Sequence, residues 1–265
     1  MTTLLKRLCS RACALIVCAG LLTVFCLYSL PCMAQNTAGL DLILLHTNDL
    51  HSYIAGRDSH GNACFKSEGC TGGLARLATA MKRTRAEHDN VLAVDAGDQF
   101  QGTLFFTANK WPMLADINAL LPYDAMTLGN HEFDDGDATL KGFLDELAKG
   151  SCNTSVISSN VVPAAGAALA PTVGSAYLKP WVIKEIDGVK VGLIGITIAG
   201  KTVNSSRPLA TTAFNEEVAA AQKAIDELKA QHTMLNEENQ KLRDERKQWS
   251  ERLQSLLGKL EQIEA

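Results

Sequence analysis

Past Pro208 the chain has no proline, and past Gly200 its only glycine is Gly258. That shortage excludes a turn-rich fold at this end of the chain and favours one uninterrupted helix. Aromatic residues are few, 6%, and cations do not outnumber anions, with 25 Lys+Arg against 29 Asp+Glu. An acidic surface repels a phosphate backbone, so the sequence gives no support to a nucleic-acid polymer as partner. Long apolar runs are missing except at the N-terminus, which excludes a multi-span membrane protein. The remainder is ordinary: 265 residues, 46% hydrophobic and 20% charged, suit one large domain or two modest ones.

The N-terminal exception starts with Lys6, Arg7 and Arg11, continues uncharged from Ala12 through Leu30, and closes on Pro31-Cys32-Met33-Ala34. Basic start, apolar middle and small residues at the end predict a secretory signal peptide over residues 1–34, with export to the periplasm or the outside. An uncleaved membrane anchor is the alternative, because the run approaches spanning length. Cleavage would remove three basic residues and no acidic one, leaving 22 Lys+Arg against 29 Asp+Glu, a net of −7. It would also remove five of the eight cysteines, Cys9, Cys13, Cys18, Cys26 and Cys32. In an oxidising compartment Cys64 and Cys70 read as a local disulfide, and Cys152 as a small buried hydrophobe.

Between Asp41 and Gly200, apolar runs alternate with amphipathic stretches. Leu42 to Thr47, Val91 to Val94, Ala125 to Leu128, Val156 to Ser159 and Val189 to Ile196 read as buried strands. Leu74, Leu77 and Met81, then Leu140, Phe143, Leu144 and Leu147, have helical spacing. Strands alternating with helices predict an α/β layer fold. Trp181 to Val191, interrupted by Asp187-Gly188, predicts a hairpin with a tight turn.

Polar chemistry collects where the strands end. The first closes on Asp49-Leu50-His51, the second on Asp95 to Gly102 with Asp98 inside, the third on Gly129-Asn130-His131-Glu132-Phe133-Asp134. Singly, each has a bland reading: a turn carboxylate beside a surface histidine, or a helix start with Asn130 as its cap. Together they put carboxylate, imidazole and amide donors at three rigid strand ends, a set suited to zinc, manganese or iron. Asp98 is the candidate bridge between two metals, an arrangement that clamps both attacking and leaving oxygens in phosphoryl transfer. His46 reads as a structural strand residue, and His60 and His88 as surface residues.

Asp-x-His, Gly-Asp-x-x-x-Gly and Gly-Asn-His-Glu, in that order, resemble the calcineurin-like metallophosphoesterases. The wording of His46 to Ser52, Asp95 to Gly102 and Leu128 to Gly136 is similar to the secreted and ecto-5'-nucleotidases of that superfamily. So is the short loop between paired cysteines followed by Gly-Gly-x-Ala-Arg at Gly72 to Arg76. The resemblance spans residues 39–231 and implies an α/β/β/α sandwich holding two divalent metal ions, zinc or manganese. It implies Asp49 and His51 on one metal, Asp98 bridging and Asn130 on the second. His131 would face the phosphate with its imidazole oriented by Asp134, and a metal-bound hydroxide would attack a 5'-nucleotide or other phosphomonoester.

The family also has two later metal-binding histidines and a separate nucleoside-gripping domain. Beyond Gln231 this sequence offers only His232, so the resemblance implies a truncated catalytic domain over residues 35–231, an incomplete sandwich and impaired turnover.

From Val218 onward, Ala221, Leu228, Leu235, Leu242, Trp249, Leu256 and Ile263 recur every seventh residue. Taken as d positions, they put Val218, Ile225, His232, Asn239, Arg246, Leu253 and Leu260 at a. This pattern predicts a long coiled-coil helix, with residues 232–265 as a tail that pairs two copies of the chain; a lone solvated helix is the alternative. Leu235 to Glu264 resembles the C-terminal end of the ZapB family of cell-division coiled coils. A second functional reading follows from the tail: a non-catalytic coiled-coil assembly protein carrying a remnant phosphoesterase domain.

Overall fold

In a computed structural model of the chain, residues 39–66, 68–150, 154–172 and 177–264 are described. The predicted signal peptide and Cys152 lie outside the described residues. Asp41–Ala265 forms one compact unit.

The order begins β1 (Ile43–Thr47), β2 (Gly56–Arg57), β3 (Ala63–Cys64), α1 (Leu74–Glu87), β4 (Val91–Asp95), α2 (Leu104–Asn118) and β5 (Ala125–Met126). A 3-10 turn, His131–Phe133, leads to α3 (Asp137–Leu147), β6 (Ser155–Ile157), β7 (Val161–Pro163) and β8 (Tyr177–Lys179). Then come β9 (Trp181–Ile186), β10 (Val189–Ile194), α4 (Ala199–Ser205), β11 (Thr212–Phe214) and α5 (Glu217–Glu264). Five strands form one all-parallel sheet in the order β1-β4-β5-β6-β8. Because the strands run the same way, the loops after β1, β4 and β5 leave from the same edge. Those three loops carry the three polar motifs.

Strand β4 is buried along nearly its whole length, as its unbroken Val-Leu-Ala-Val run requires of a central parallel strand. The core beside it is aromatic. Phe100 is fully buried, with its ring centroid 5.0 Å from that of Phe106 and 5.2 Å, edge-on, from that of Phe143. Since Phe100 follows Asp98 by two residues, packing it into the core anchors the loop that presents Asp98.

The parallel sheet and the helices after Gly73 and before Leu147 agree with the sequence pattern. Some runs differ in extent. Ala125 to Leu128 shortens to a two-residue strand, because Thr127 and Leu128 leave the ladder to start the motif loop. Val189 to Ile196 is half exposed rather than buried: it pairs only with β9, outside the parallel sheet. Its turn is as expected, with Asp187 at φ 49° and Gly188 at φ 73°. Helix α2 had no periodic signal, since Lys110 at φ 55° and Pro112 split it into two pieces with different faces.

Helix α5 is 48 residues long. Its first turns bury Ala220 and Ala224, and Leu228 lies over Gly192 of β10, where a Cβ would stand 3.3 Å from Leu228 Cδ1. From Leu235 to Leu257 every side chain is exposed. The expected a and d places at Leu260 and Ile263 lie outside the described side chains. Among the described residues no helix is long and apolar enough to cross a membrane.

Truncating Phe143 to alanine removes a ring that joins α3 to the Asp98 anchor. We expect Phe143→Ala to lower unfolding stability by about 3–5 kcal/mol, measured by urea denaturation. A loss below about 1 kcal/mol would contradict the packing described.

Candidate metal centre at the strand ends

The three loops are zipped together by backbone. Asp49 N donates to Gly97 O at 3.0 Å, His51 N to Asp98 O at 2.9 Å and Ser52 N to Gln99 O at 3.0 Å. On the other side His131 N donates to the Asp98 carboxylate at 2.9 Å. Asp49, His51 and Asp98 all have left-handed backbone, φ 50°, 44° and 58°. Such conformations cost about 1–3 kcal/mol each in a non-glycine residue, and here the interlocking hydrogen bonds hold them.

Glycines allow this proximity. A Cβ on Gly97 would lie 2.2 Å from Gly129 N, and one on Gly129 would lie 2.1 Å from Asp98 Oδ1. Gly129 carries no unusual backbone angle, so absence of a side chain is what that position needs.

A ligand atom from each of His51, Asp98 and His131 lies within 4.8 Å of the others. Both imidazoles are held by one nitrogen. His51 Nδ1 is 3.0 Å from Phe100 O and donates to it, so Nε2 is the atom with a free lone pair. His131 Nδ1 is 2.6 Å from Asp134 Oδ2, which likewise leaves its Nε2 available. The rings meet edge-on, centroids 5.1 Å apart.

Of the six residues singled out from sequence, the cluster thus takes in His51, Asp98 and His131, with Asp134 behind His131. Asp49 sits at the rim, exposed, with Oδ1 3.7 Å from His51 Nε2. The Asn48 amide, donating to Asp49 at 2.6 Å, is the main cause holding its carboxyl below the usual carboxylate range; His51 and Lys201 add to it. Asn130 is buried, and its amide nitrogen faces Ser206 Oγ at 3.5 Å. It precedes the 3-10 turn but its side chain does not cap it. His46 lies exposed in β1, and His60 and His88 are exposed. Cys64 and Cys70 are joined as a disulfide.

Two acids had no assigned role in the sequence. Glu132 is buried and accepts four backbone N–H groups: Asp98 at 2.9 Å, Gln99 at 2.6 Å, Phe100 at 3.2 Å and Gly129 at 2.7 Å. Burial, with the Asp98 carboxylate beside it, pushes its pKa up to about 7 against the pull of those amides. Asp95 accepts from Thr47 Oγ1, Gly97 N and Gln99 Nε2 at 2.5–2.9 Å, and burial raises its pKa too. The signal for Glu132 was its place in Gly-Asn-His-Glu, but only the fold shows which amides face it.

A family model of the calcineurin-like phosphoesterases matches residues 42–192. The chain belongs to the calcineurin-like phosphoesterase family. The 5'-nucleotidase of Rattus norvegicus is 39% identical over 189 residues, 71% of this chain and 31% of its own length. The snake venom 5'-nucleotidase of Naja atra is 40% identical over 188 residues, 71% of this chain and 34% of its own. Among solved structures, the Haemophilus influenzae NAD nucleotidase superimposes with a TM-score of 0.61 at 33% identity, over 72% of this chain and 36% of that one. The Thermus thermophilus 5'-nucleotidase precursor gives 0.59 at 36% identity, over 72% and 35%. This phosphoesterase chain therefore spans about a third of the length of the relatives it matches. A model of the ZapB family matches residues 211–262, so that likeness begins at β11 and runs along α5.

Glu132→Gln exchanges one acceptor oxygen for an amide that opposes backbone donors. We expect it to cost at least about 2 kcal/mol of stability by urea denaturation, because buried N–H groups lose their acceptor. A near-neutral Glu132→Gln would mean that the four amides do not depend on the carboxylate.

Proposed function

We propose that this chain is a metal-dependent phosphomonoester hydrolase of 5'-nucleotidase type, holding two divalent ions, zinc or manganese. The observation that carries the reading is the convergence of His51, Asp98 and His131 from three different strand ends. The fit to such ions rests on chemistry: the His51 imidazole, fixed by its other nitrogen, stands beside the Asp98 carboxylate, a mixed nitrogen and oxygen donor set, while His131 Nε2 stays free for the proton. Asp49, His51, Asp98 and Asn130 would hold the ions. Bound there, the ions supply a lowered water pKa and charge neutralisation on phosphoryl oxygens.

The chain's own residues then divide the remaining work. Asp134 fixes the His131 tautomer and raises its basicity, so that Nε2 can carry a proton to the leaving alkoxide oxygen. Glu132 and the paired glycines keep the Asp98 and His131 loops in register. Substrates are 5'-nucleotides or other phosphomonoesters. The N-terminal pattern and the Cys64–Cys70 disulfide support an exported protein. The predicted division into a signal peptide over 1–34, a catalytic domain over 35–231 and a tail over 232–265 belongs to this reading. The exposed row Leu235, Leu242, Trp249 and Leu256 supports pairing of two copies through the tail.

Manganese- or zinc-dependent release of phosphate from AMP by the full chain is the first test. Asp98→Ala should abolish it, and His131→Ala should lower kcat by about 10²–10⁴. Metal-independent hydrolysis, or none with either ion, would overturn the reading. For the tail, Leu242→Asp should halve the mass seen by light scattering, and a mass unchanged from the parent chain would count against pairing.

A further inference from the structure

Residues 197–212 run from just past β10 into β11 as a strap stitched to the third motif and the start of α3. Thr197 Oγ1 donates to Leu128 O at 2.9 Å, Arg207 N to Phe133 O at 3.1 Å and Leu209 N to Asp137 Oδ1 at 2.9 Å, and Thr212 Oγ1 donates to the other Asp137 oxygen. Fully buried Asn160 grips the start of the strap twice: its Oδ1 accepts Thr197 N at 2.8 Å, and its Nδ2 donates to Thr197 O at 2.6 Å. The same Nδ2 donates to Asn215 O at 3.2 Å, past the far end. In between, Ala199 N donates to Glu217 Oε1 at 2.8 Å, on the first turn of α5. These ties fix where Ser206 stands, directly after α4, with its Oγ 3.5 Å from Asn130 Nδ2.

We propose that this strap is a positioning device for Asn130: Ser206 takes the nitrogen end of the buried amide, so that the oxygen end is the one offered to a divalent cation. The assignment rests on the metal-dependent reading above. A side-chain amide has two ends of nearly equal shape, one donating and one accepting, and only the oxygen can bind a cation. The backbone alone does not choose between them. Gly129 N donates to Glu132 and His131 N to Asp98, which fixes where the Asn130 side chain begins but leaves it free to turn end for end. Asn130 is 2% exposed, and a buried N–H needs an acceptor, which the Ser206 hydroxyl supplies. At 3.5 Å that contact is weak by itself. Its effect therefore depends on the strap, whose bonds to Leu128, Phe133, Asp137 and Asn160 keep Ser206 beside the amide. Groups that orient a metal ligand from behind in this way typically carry a factor of about 10–100 in metal affinity.

The test is calorimetric titration of manganese or zinc into the full, metal-free chain and into Ser206→Ala, Ser206→Thr and Thr197→Val. Ser206 is only partly buried, so Ser206→Ala should keep the parent's urea midpoint while weakening one of two bound ions at least about tenfold and leaving the other unchanged. Ser206→Thr, which keeps the hydroxyl, should restore the parent affinity, and Thr197→Val, which cuts the tie to Leu128, should weaken the same ion. Equal weakening of both ions, no weakening, or no recovery in Ser206→Thr overturns the proposal. A second readout needs no metal. In the nitrogen-15-labelled, metal-free chain, the side-chain amide protons of Asn130 should exchange with solvent faster in Ser206→Ala than in the parent or in Ser206→Thr, and equal exchange in all three also overturns it. If the parent binds neither ion, the hydrolase reading is what fails, and the exchange comparison still decides whether Ser206 holds the Asn130 amide.

Discussion

Two loops in backbone contact, with no room for a side chain between them, are the constraint from which the site follows. Gly97 and Gly129 approach so closely that a single Cβ on either would strike backbone or the Asp98 carboxylate. The Glu132 carboxylate then ties the same loops together through four amides. Asp98 and His131 are consequently tied to each other, the His131 N–H donating to the Asp98 carboxylate as well. A metal centre assembled from separate strand ends needs that rigidity, because donors displaced by an ångström lose much of their binding energy.

Around this clamp each motif residue meets a different demand. In Asp98-Gln99-Phe100, Asp98 reaches the cluster, Gln99 donates to buried Asp95, and Phe100 is driven into the aromatic core. The backbone past the end of β4 turns through left-handed conformations at Gly97 and Asp98, and the three consecutive side chains diverge from there. His51 and His131 are similar in design: one nitrogen is used up inside the protein, by a carbonyl or by Asp134, and the other faces the cluster. Selectivity among ions would then come from this mixed donor set rather than from affinity alone.

The long helix has two environments. At its start Ala220, Ala224 and Leu228 belong to the phosphoesterase unit, so the d place at Leu228 is already engaged against β10. Beyond Leu235 the same heptad row faces solvent. One continuous helix thus joins the phosphoesterase-family unit to the exposed stripe. Rise per residue makes Leu235 to Glu264 about 45 Å long.

Legibility in the sequence tracked locality. Strand runs, the Asp187-Gly188 turn, the Cys64–Cys70 bridge and the heptads depend on neighbours within a few residues, and could be read from spacing alone. Helix α2 escaped because Lys110 and Pro112 break its period. For the motif residues, the sequence by itself determined which donors stand at strand ends and hence the class of chemistry. How they stand to one another was decided only by tertiary structure: ligand atoms of His51, Asp98 and His131 lie within 4.8 Å of one another, the exposed Asp49 carboxylate is 3.7 Å from His51, and the buried Asn130 amide faces Ser206. The roles of Glu132 and Asp95 were also decided there, since a carboxylate's partners are set by which amides the folded chain brings within 3 Å, a distance that residue spacing does not encode.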